Sequence, residues 1–187
     1  MLMATSLWNK SRLFAVVILL LSLTSCVDRW RLTRDMKMFA ESSVTIPDDM
    51  ECVFERSIST LDPAGLSSMK FIVYYDSLEC SSCAVTHLMD LIPLYEKFEN
   101  TDVGVMTIFS PRLEEVEDIK LELMLAAHLF PVYVDTNGSF ARVNTAIPTD
   151  NRFDYFLIDK DGTPLFVGNP AANEKLNEIL DNILLTL

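Results

Sequence analysis

The chain has 187 residues and a formal charge of −12, from 15 Lys+Arg against 27 Asp+Glu. Half of it is hydrophobic, which at this length suits one domain with a sizeable core and a short leader. No acidic residue precedes Cys26 whereas Lys10 and Arg12 do, so the part after the leader carries −14, against the basic surface that nucleic-acid binding requires.

Residues 1–26 read as a targeting segment. Lys10 and Arg12 open it, and Leu13 to Leu23 is an apolar run too short to span a bilayer comfortably. The segment ends in Leu23-Thr24-Ser25-Cys26. This resembles the bacterial lipobox, whose cysteine is lipidated and becomes the mature N-terminus. An ordinary signal peptide or a membrane anchor are the alternatives. On each reading residues 27 onward are expected to be exported, where a dithiol can persist as a disulfide.

Residues 27–45 are expected to be a tether, with Trp30, Met36 and Phe39 fitting a short helix as the alternative. Ile46-Pro47-Asp48-Asp49 reads as a turn, Glu51 to Ile58 as a first, weakly alternating strand, and Leu61 to Ser68 as a loop. Phe71 to Tyr75 is a buried strand by its β-branched and aromatic content. It breaks at Asp76-Ser77, and Cys80-Ser81-Ser82-Cys83 follows. Ala84, Leu88, Leu91, Tyr95 and Phe98 then recur at spacings of three and four, the signature of one helix face. Two cysteines therefore stand where a strand ends and a helix begins, a place with unpaired N–H groups and a dipole that favours a thiolate. Cys80, ahead of the helix, is expected to be the exposed nucleophile. Cys83, one turn in, is expected to be the shielded resolving thiol.

Val103 to Phe109 is the next buried strand. Ser110-Pro111 should start a helix, with Ser110 as cap and Glu114, Glu115 and Glu117 in its opening turns. Val116, Ile119, Leu123 and Ala126 form its apolar face. Pro131 to Val134 is a third strand, and Ser139 to Asn144 makes one or two helical turns. Phe153 to Ile158 and Leu165 to Val167 flank Asp159-Lys160-Asp161-Gly162, a hairpin signal. Leu176, Ile179, Leu180, Ile183, Leu184 and Leu187 make an amphipathic last helix. Alternating strands and helices imply an α/β fold whose sheet has parallel pairs, and the hairpin adds an antiparallel edge.

At this point the chain resembles the thioredoxin-like superfamily. The features that carry the resemblance are the strand FIVYY, the CSSC that opens a helix, the late hairpin FLIDKDGTPLFVG and the final helix. The hairpin looks like that of TlpA/ResA-type lipoprotein or membrane-anchored thioredoxins. The fuller pattern is similar to uncharacterised thioredoxin-like lipoproteins of Bacteroides-type bacteria. It matches at Tyr74, Asp76, Ser77, Cys80, Ser82 and Cys83, then at Arg152, Phe153, Phe156, Leu157, Asp159, Lys160, Gly168, Asn169 and Pro170. The resemblance implies a three-layer fold over residues 46–187, a central mixed sheet flanked by helices. It also implies a cell-envelope thiol–disulfide oxidoreductase that uses Cys80 and Cys83, tethered through Cys26 and facing the periplasm. Its partners would be client proteins with thiols or disulfides and a membrane electron donor, with no cofactor. The alternative is a non-catalytic lipoprotein of the same fold that binds a partner.

One position departs from that family. A cis-proline normally precedes the strand that faces the dithiol, and here Phe153 occupies the place, before Asp154. Either Pro148, the nearest proline, fills the role with an insertion, or Phe153 replaces it. Phe153 and Asp154 are thus the expected client-docking residues, the ring of Phe153 stacking on a client.

The remaining chemistry is weaker. Asp76 and Glu79 raise a neighbouring thiol's pKa, opposing the helix end, so a reductant-like potential is expected. His87 could join the two cysteines in a metal site, but a fourth ligand is not evident and no metal is expected. Ser77 fits a peroxidase pattern that lacks its proline, Val73 standing there. Cys52 is either a strand residue or a partner for Cys80 or for another protein. The leader should be removed and Cys26 lipidated. Mass spectrometry of the mature chain reads this directly, and an unmodified N-terminus at another residue overturns it.

Overall fold

The computed structural model describes residues 28–60, 67–77, 81–126 and 128–186, the side chains of 81 and 82 excepted. The chain divides between Met38 and Phe39 into two units. In the first, residues 28–38 belong to a helix, α1. The second carries the sheet.

The two apolar runs lie side by side at its centre. β3 (Met69–Tyr75) and β4 (Val103–Phe109) pair in parallel from Met69↔Val103 to Tyr75↔Phe109. Strands covered on both faces are expected to read as continuous apolar runs, as these do. β5 (Val132–Val134) continues the parallel set beside β4. β1 (Glu51–Phe54), β2 (Ser57–Thr60), β6 (Tyr155–Ile158) and β7 (Pro164–Val167) complete a seven-stranded sheet in the order β2-β1-β5-β4-β3-β6-β7. The pairs β1–β2, β1–β5, β3–β6 and β6–β7 are antiparallel. The sheet is therefore mixed, with the late hairpin docked on β3.

Alternation along the strands sends side chains to two faces. Val53, Phe71, Val73, Phe109, Val132, Val134 and Leu157 form one cluster with Ala84, Leu88, Leu91 and Phe98. Helices α2 (Ser81–Thr86), α3 (Ile92–Phe98), α4 (Val116–Ala126) and α6 (Glu174–Leu184) supply that layer. Ile72, Met106, Ile108 and Phe156 alternate with these strand residues and are fully buried. On their side, Phe39 meets Phe153 and Phe156 edge-on, at 5.9 and 5.2 Å between ring centroids, and Phe140 of α5 (Ser139–Val143) meets Tyr74 at 4.9 Å.

Four expectations are corrected. The single strand over Glu51 to Ile58 is a hairpin, β1–β2, turning at Glu55 and Arg56 with φ of 48° and 62°. That left-handed pair suits a two-residue turn, but neither residue is the glycine or asparagine that usually announces one. The helix after the dithiol is not continuous. α2 closes at Thr86, a 3-10 turn spans Leu88–Leu91, and α3 begins one residue before Pro93, which has no N–H to give an upstream carbonyl. The apolar face survives the break, with Ala84, Leu88, Leu91 and Phe98 all buried. Ser110 caps no helix; the turn after β4 starts at Leu113, with Arg112 as its N-cap. Finally, the fold takes in residues 39–45, placed by sequence in the tether. Phe39 is fully buried, Val44 N–H donates to Gly162 O at 2.9 Å, and Thr45 pairs with Asn144 through its N–H (2.7 Å) and its C=O (2.8 Å).

The ends of β4 and β5 are joined by a buried carboxylate. Asp135, 1% exposed, directly follows β5, and its N–H donates to Phe109 O at 2.8 Å. Its Oδ1 accepts from Ser139 N at 2.8 Å, and its Oδ2 from Phe140 N at 3.0 Å and Ser110 Oγ at 2.8 Å. The Ser139 hydroxyl lies between Asp135 Oδ1 (3.0 Å) and Asp49 Oδ1 (2.6 Å), so one hydrogen serves two carboxylates. The Ser139 hydroxyl first, and then Asn137 Nδ2, which donates to Asp49 Oδ2 at 2.8 Å, hold Asp49 below the ordinary carboxylate range. Asp135→Ala leaves two backbone N–H groups without acceptors inside the protein and takes one partner from the Ser110 hydroxyl. A loss of about 3 kcal/mol of stability is expected, read as a lower denaturant midpoint at unchanged slope, and Asp135→Asn should recover part of it.

Candidate functional site

The site is built at the C-terminal end of β3. That strand is central and apolar, so it is held on both edges and both faces, and its last residues emerge at a defined place. Tyr74 N–H donates to Asp154 O at 2.7 Å, and Ser110 N–H donates to Tyr75 O at 2.8 Å, so the chain segments after β4 and before β6 both close on this end. Asp76 and Ser77 follow. Cys80 and Glu79 lie outside the described residues.

Cys83 is in the first turn of α2. Ala84 and Val85 next to it are buried and take the core side, which turns Cys83 outward; it is exposed. The expected shielding of this thiol is not found, because α2 is six residues long and lies with only one flank on the core. Cys83 is disulfide-bonded, and its partner lies outside the described residues. Its carbonyl accepts from Thr86 Oγ1 at 2.6 Å, which helps close the helix. His87 follows the helix and pairs with Asp90 at 3.0 Å in an exposed contact. His128 is buried elsewhere, its Nε2 at 3.0 Å from Val53 O.

Charge near the end of β3 is negative. Burial is the main force pushing the Tyr74 phenol upward; a hydrogen bond with Ser110 opposes it, and Asp76, Asp135 and Asp154 add to it. Among the described residues, the charges that push this phenol upward are these three carboxylates. A cavity of about 470 Å³ opens here, lined among others by Tyr74, Asp76, Ser77, Ser110, Ile147 and Pro148. Tyr75 and Tyr155 line a second groove, of about 350 Å³, with His87, Lys97 and Pro170.

Phe153 does not face these openings with its ring. The ring is 1% exposed and packs edge-on against Phe39, so a client cannot stack on it. Its backbone stands in a 3-10 turn, Asn151–Phe153, capped by Asp150, which accepts from Arg152 N–H. No cis peptide bond occurs among the described residues. Of the two positions left open for the docking proline, Pro148 lines the cavity wall with Ser77, and Phe153 is in the core. Asp154 reaches the site through its backbone carbonyl. Tyr74, Ser110 and Asp135 were not anticipated there. A signal existed for Tyr74, since it alternates with Val73 and so must take the opposite face; the Ser110–Asp135 contact joins distant segments and leaves none.

Cys52 is free and half-buried. Val53 belongs to the cluster under α2, so alternation puts Cys52 on the opposite side of the sheet. It also stands three strands from β3, roughly 14 Å at ordinary spacing. That is beyond the Cα separation a disulfide tolerates, so pairing with the end of β3 is not available to the folded chain.

No family model matches this chain, and no curated protein does. Solved structures do. The chain is similar to a putative thiol:disulfide interchange protein DsbE from Chlorobium tepidum, with a TM-score of 0.51 and 18% identity over 77% of this chain and 98% of that one. The fold is thioredoxin-like. Fainter likenesses, on which nothing rests here, are to the thioredoxin domain of a thiol-disulfide oxidoreductase from Bacteroides vulgatus (TM-score 0.48, 11% identity, 76% and 98% covered) and to a peroxiredoxin Q variant from Xanthomonas campestris (0.45, 14%, 74% and 96%).

Thioredoxin-like architecture with these placements gives two thiols of different reactivity. In the reduced protein, Cys83 should alkylate roughly tenfold or more faster than Cys52 near neutral pH. Burial pushes the Cys52 thiol up, against a hydrogen bond from Ser59, so its thiolate forms only at higher pH. The Cys52 rate should therefore still be climbing at pH values where an ordinary thiol has levelled. Peptide mapping after timed alkylation measures both, and equal rates at neutral pH contradict the assignment.

Proposed function

We propose that this chain is a membrane-tethered thiol–disulfide oxidoreductase of the cell envelope. The observation that carries the reading is the place of Cys83, the last residue of the Cys80-Ser81-Ser82-Cys83 sequence. In a thioredoxin-like fold, the second of these cysteines is exposed in the first turn of the helix that follows the central strand. The disulfide state of Cys83 supports a pairing with Cys80. Cys26 serves as the lipidated N-terminus and sets the protein on the periplasmic face of a bacterial membrane. None of the helices among the described residues is long and apolar enough to cross one.

The cycle starts from the reduced pair. The Cys80 thiolate attacks one sulfur of a client disulfide; that bond breaks, and the departing client thiolate takes up a proton. Cys83, losing its own proton, attacks the Cys80 sulfur of the mixed disulfide and expels the client's second thiol. The client has gained two electrons, and the chain holds a Cys80–Cys83 disulfide. A dithiol donor in the membrane resets the pair by the same exchange. The carboxylates around Tyr74 give a thiolate no stabilisation, so the reduced form is not favoured and the pair is suited to give electrons rather than take them. The cavity beside Ser77 and Pro148 supplies the adjoining surface on which a client segment can rest.

The test is trapping in the cell envelope. Cys83→Ser should accumulate mixed disulfides on Cys80 that reductant releases, and Cys80→Ser should accumulate few, because the attacking thiol is gone. Both variants should bring insulin reduction down to the uncatalysed rate. Identical, reductant-insensitive complexes from the two variants would mean that the chain holds its partner without thiol exchange, and the non-catalytic reading would replace this one.

A further inference from the structure

The charge of this chain after Cys26 is unevenly placed. Residues 39–187 hold nine Lys and Arg against twenty-five Asp and Glu, a formal −16. Residues 28–38 run the other way, with Arg29, Arg31, Arg34 and Lys37 against Asp28 and Asp35. They are helical, and helical spacing sorts them further. At 3.6 residues per turn the four cations, with Trp30 and Met38, fall within an arc of about 200°, while Asp28 and Asp35, seven residues apart, share the remaining side. Trp30 is 67% exposed and Met38 55%. Arg29, Arg31, Arg34 and Lys37 are exposed as well. The Arg34 guanidinium lies 5.5 Å from the centre of the Trp30 ring and also pairs with Asp35 at 2.9 Å.

We propose that this basic, tryptophan-bearing face of α1 lies on the anionic headgroup surface of the bilayer that holds the lipid anchor. The proposal rests on the reading of Cys26 as the anchored residue. Given that anchor, Asp28 is two residues from the membrane, at most about 7 Å of extended chain, so the first turn of α1 is held at headgroup depth. Lys and Arg on one face attract anionic lipid, and an indole prefers the boundary between headgroup and acyl chain. The rest of the mature chain has the sign that such a surface repels. α1 is thus the segment whose charge complements the membrane.

The chain has two tryptophans, Trp8 and Trp30, so in Trp8→Phe the indole emission reports α1 alone whether or not the leader is removed. That full-length protein, purified from membranes, is placed in phosphatidylcholine vesicles and in vesicles in which part of this lipid is replaced by phosphatidylglycerol. The expected result is a shift of Trp30 emission to shorter wavelength, with lower acrylamide quenching, in the anionic vesicles. The shift should be lost in 1 M salt, where the screening length is about 3 Å, and in Arg31→Gln/Arg34→Gln/Lys37→Gln. The same emission in both kinds of vesicle, shifted or not, overturns the proposal, as does a shift that persists in the triple variant. Flotation with the phosphatidylcholine vesicles reads the lipid anchor separately. Protein that floats there with Trp30 unmoved by anionic lipid keeps the anchor reading and loses this one; protein that does not float loses the anchor.

Discussion

The end of the sheet depends on one buried carboxylate. Among the described residues no cation pairs with Asp135; backbone and hydroxyl hydrogens from the loop after β4 and from α5 hold it. Desolvating such a group is unfavourable unless its lone pairs are filled, so the segments that fill them cannot drift apart without exposing the deficit. Ser110 and Phe140 are thereby fixed relative to the end of β5, and these two residues stand beside Tyr74. The wall of the cavity next to the dithiol segment is thus set from β5, two strands away from β3.

Aromatic packing does the same work lower down. Phe39, Phe153 and Phe156 interlock edge to face. This explains why Phe153 offers no ring to the surface. The ring is drawn inward by Phe39, and the backbone that remains presents the Asp154 carbonyl to Tyr74. The backbone at this end of the sheet is consequently shaped by hydrogen bonding and by the 3-10 turn that Asp150 caps.

Much of the fold was legible because it rests on local pattern. β3 and β4 are apolar runs with clear ends, the late hairpin is announced by Asp159 to Gly162, and the helix that holds Cys83 follows β3 in a pattern that needs no long-range contact to recognise. What was not legible depends on distant partners or on turns made without their usual residues. Glu55 and Arg56 turn a hairpin with side chains that signal none. Ser110 has the chemistry of a helix cap, but a carboxylate from the end of another strand claims its hydroxyl. Phe153 gives no hint of burial until Phe39 is placed against it. Cys83 was expected inside the helix layer, and Ala84 and Val85, which take the core side of α2, turn it outside.

The strap formed by residues 43–45 has a mechanical consequence. Ser43 and Val44 are bonded to the turn of the β6–β7 hairpin, through the carbonyls of Asp161 and Gly162, and Thr45 is bonded on both sides to Asn144. Gly162 at φ 83° leaves no room there for a side chain, since a Cβ would come within 2.2 Å of Val44 O. A pull on the N-terminal end of this unit is therefore taken up by the clasp on the hairpin turn and on α5 before it reaches β1 or β3. Tension is met first at the point of entry, and β3 is loaded only after it, through β6, its neighbour in the sheet.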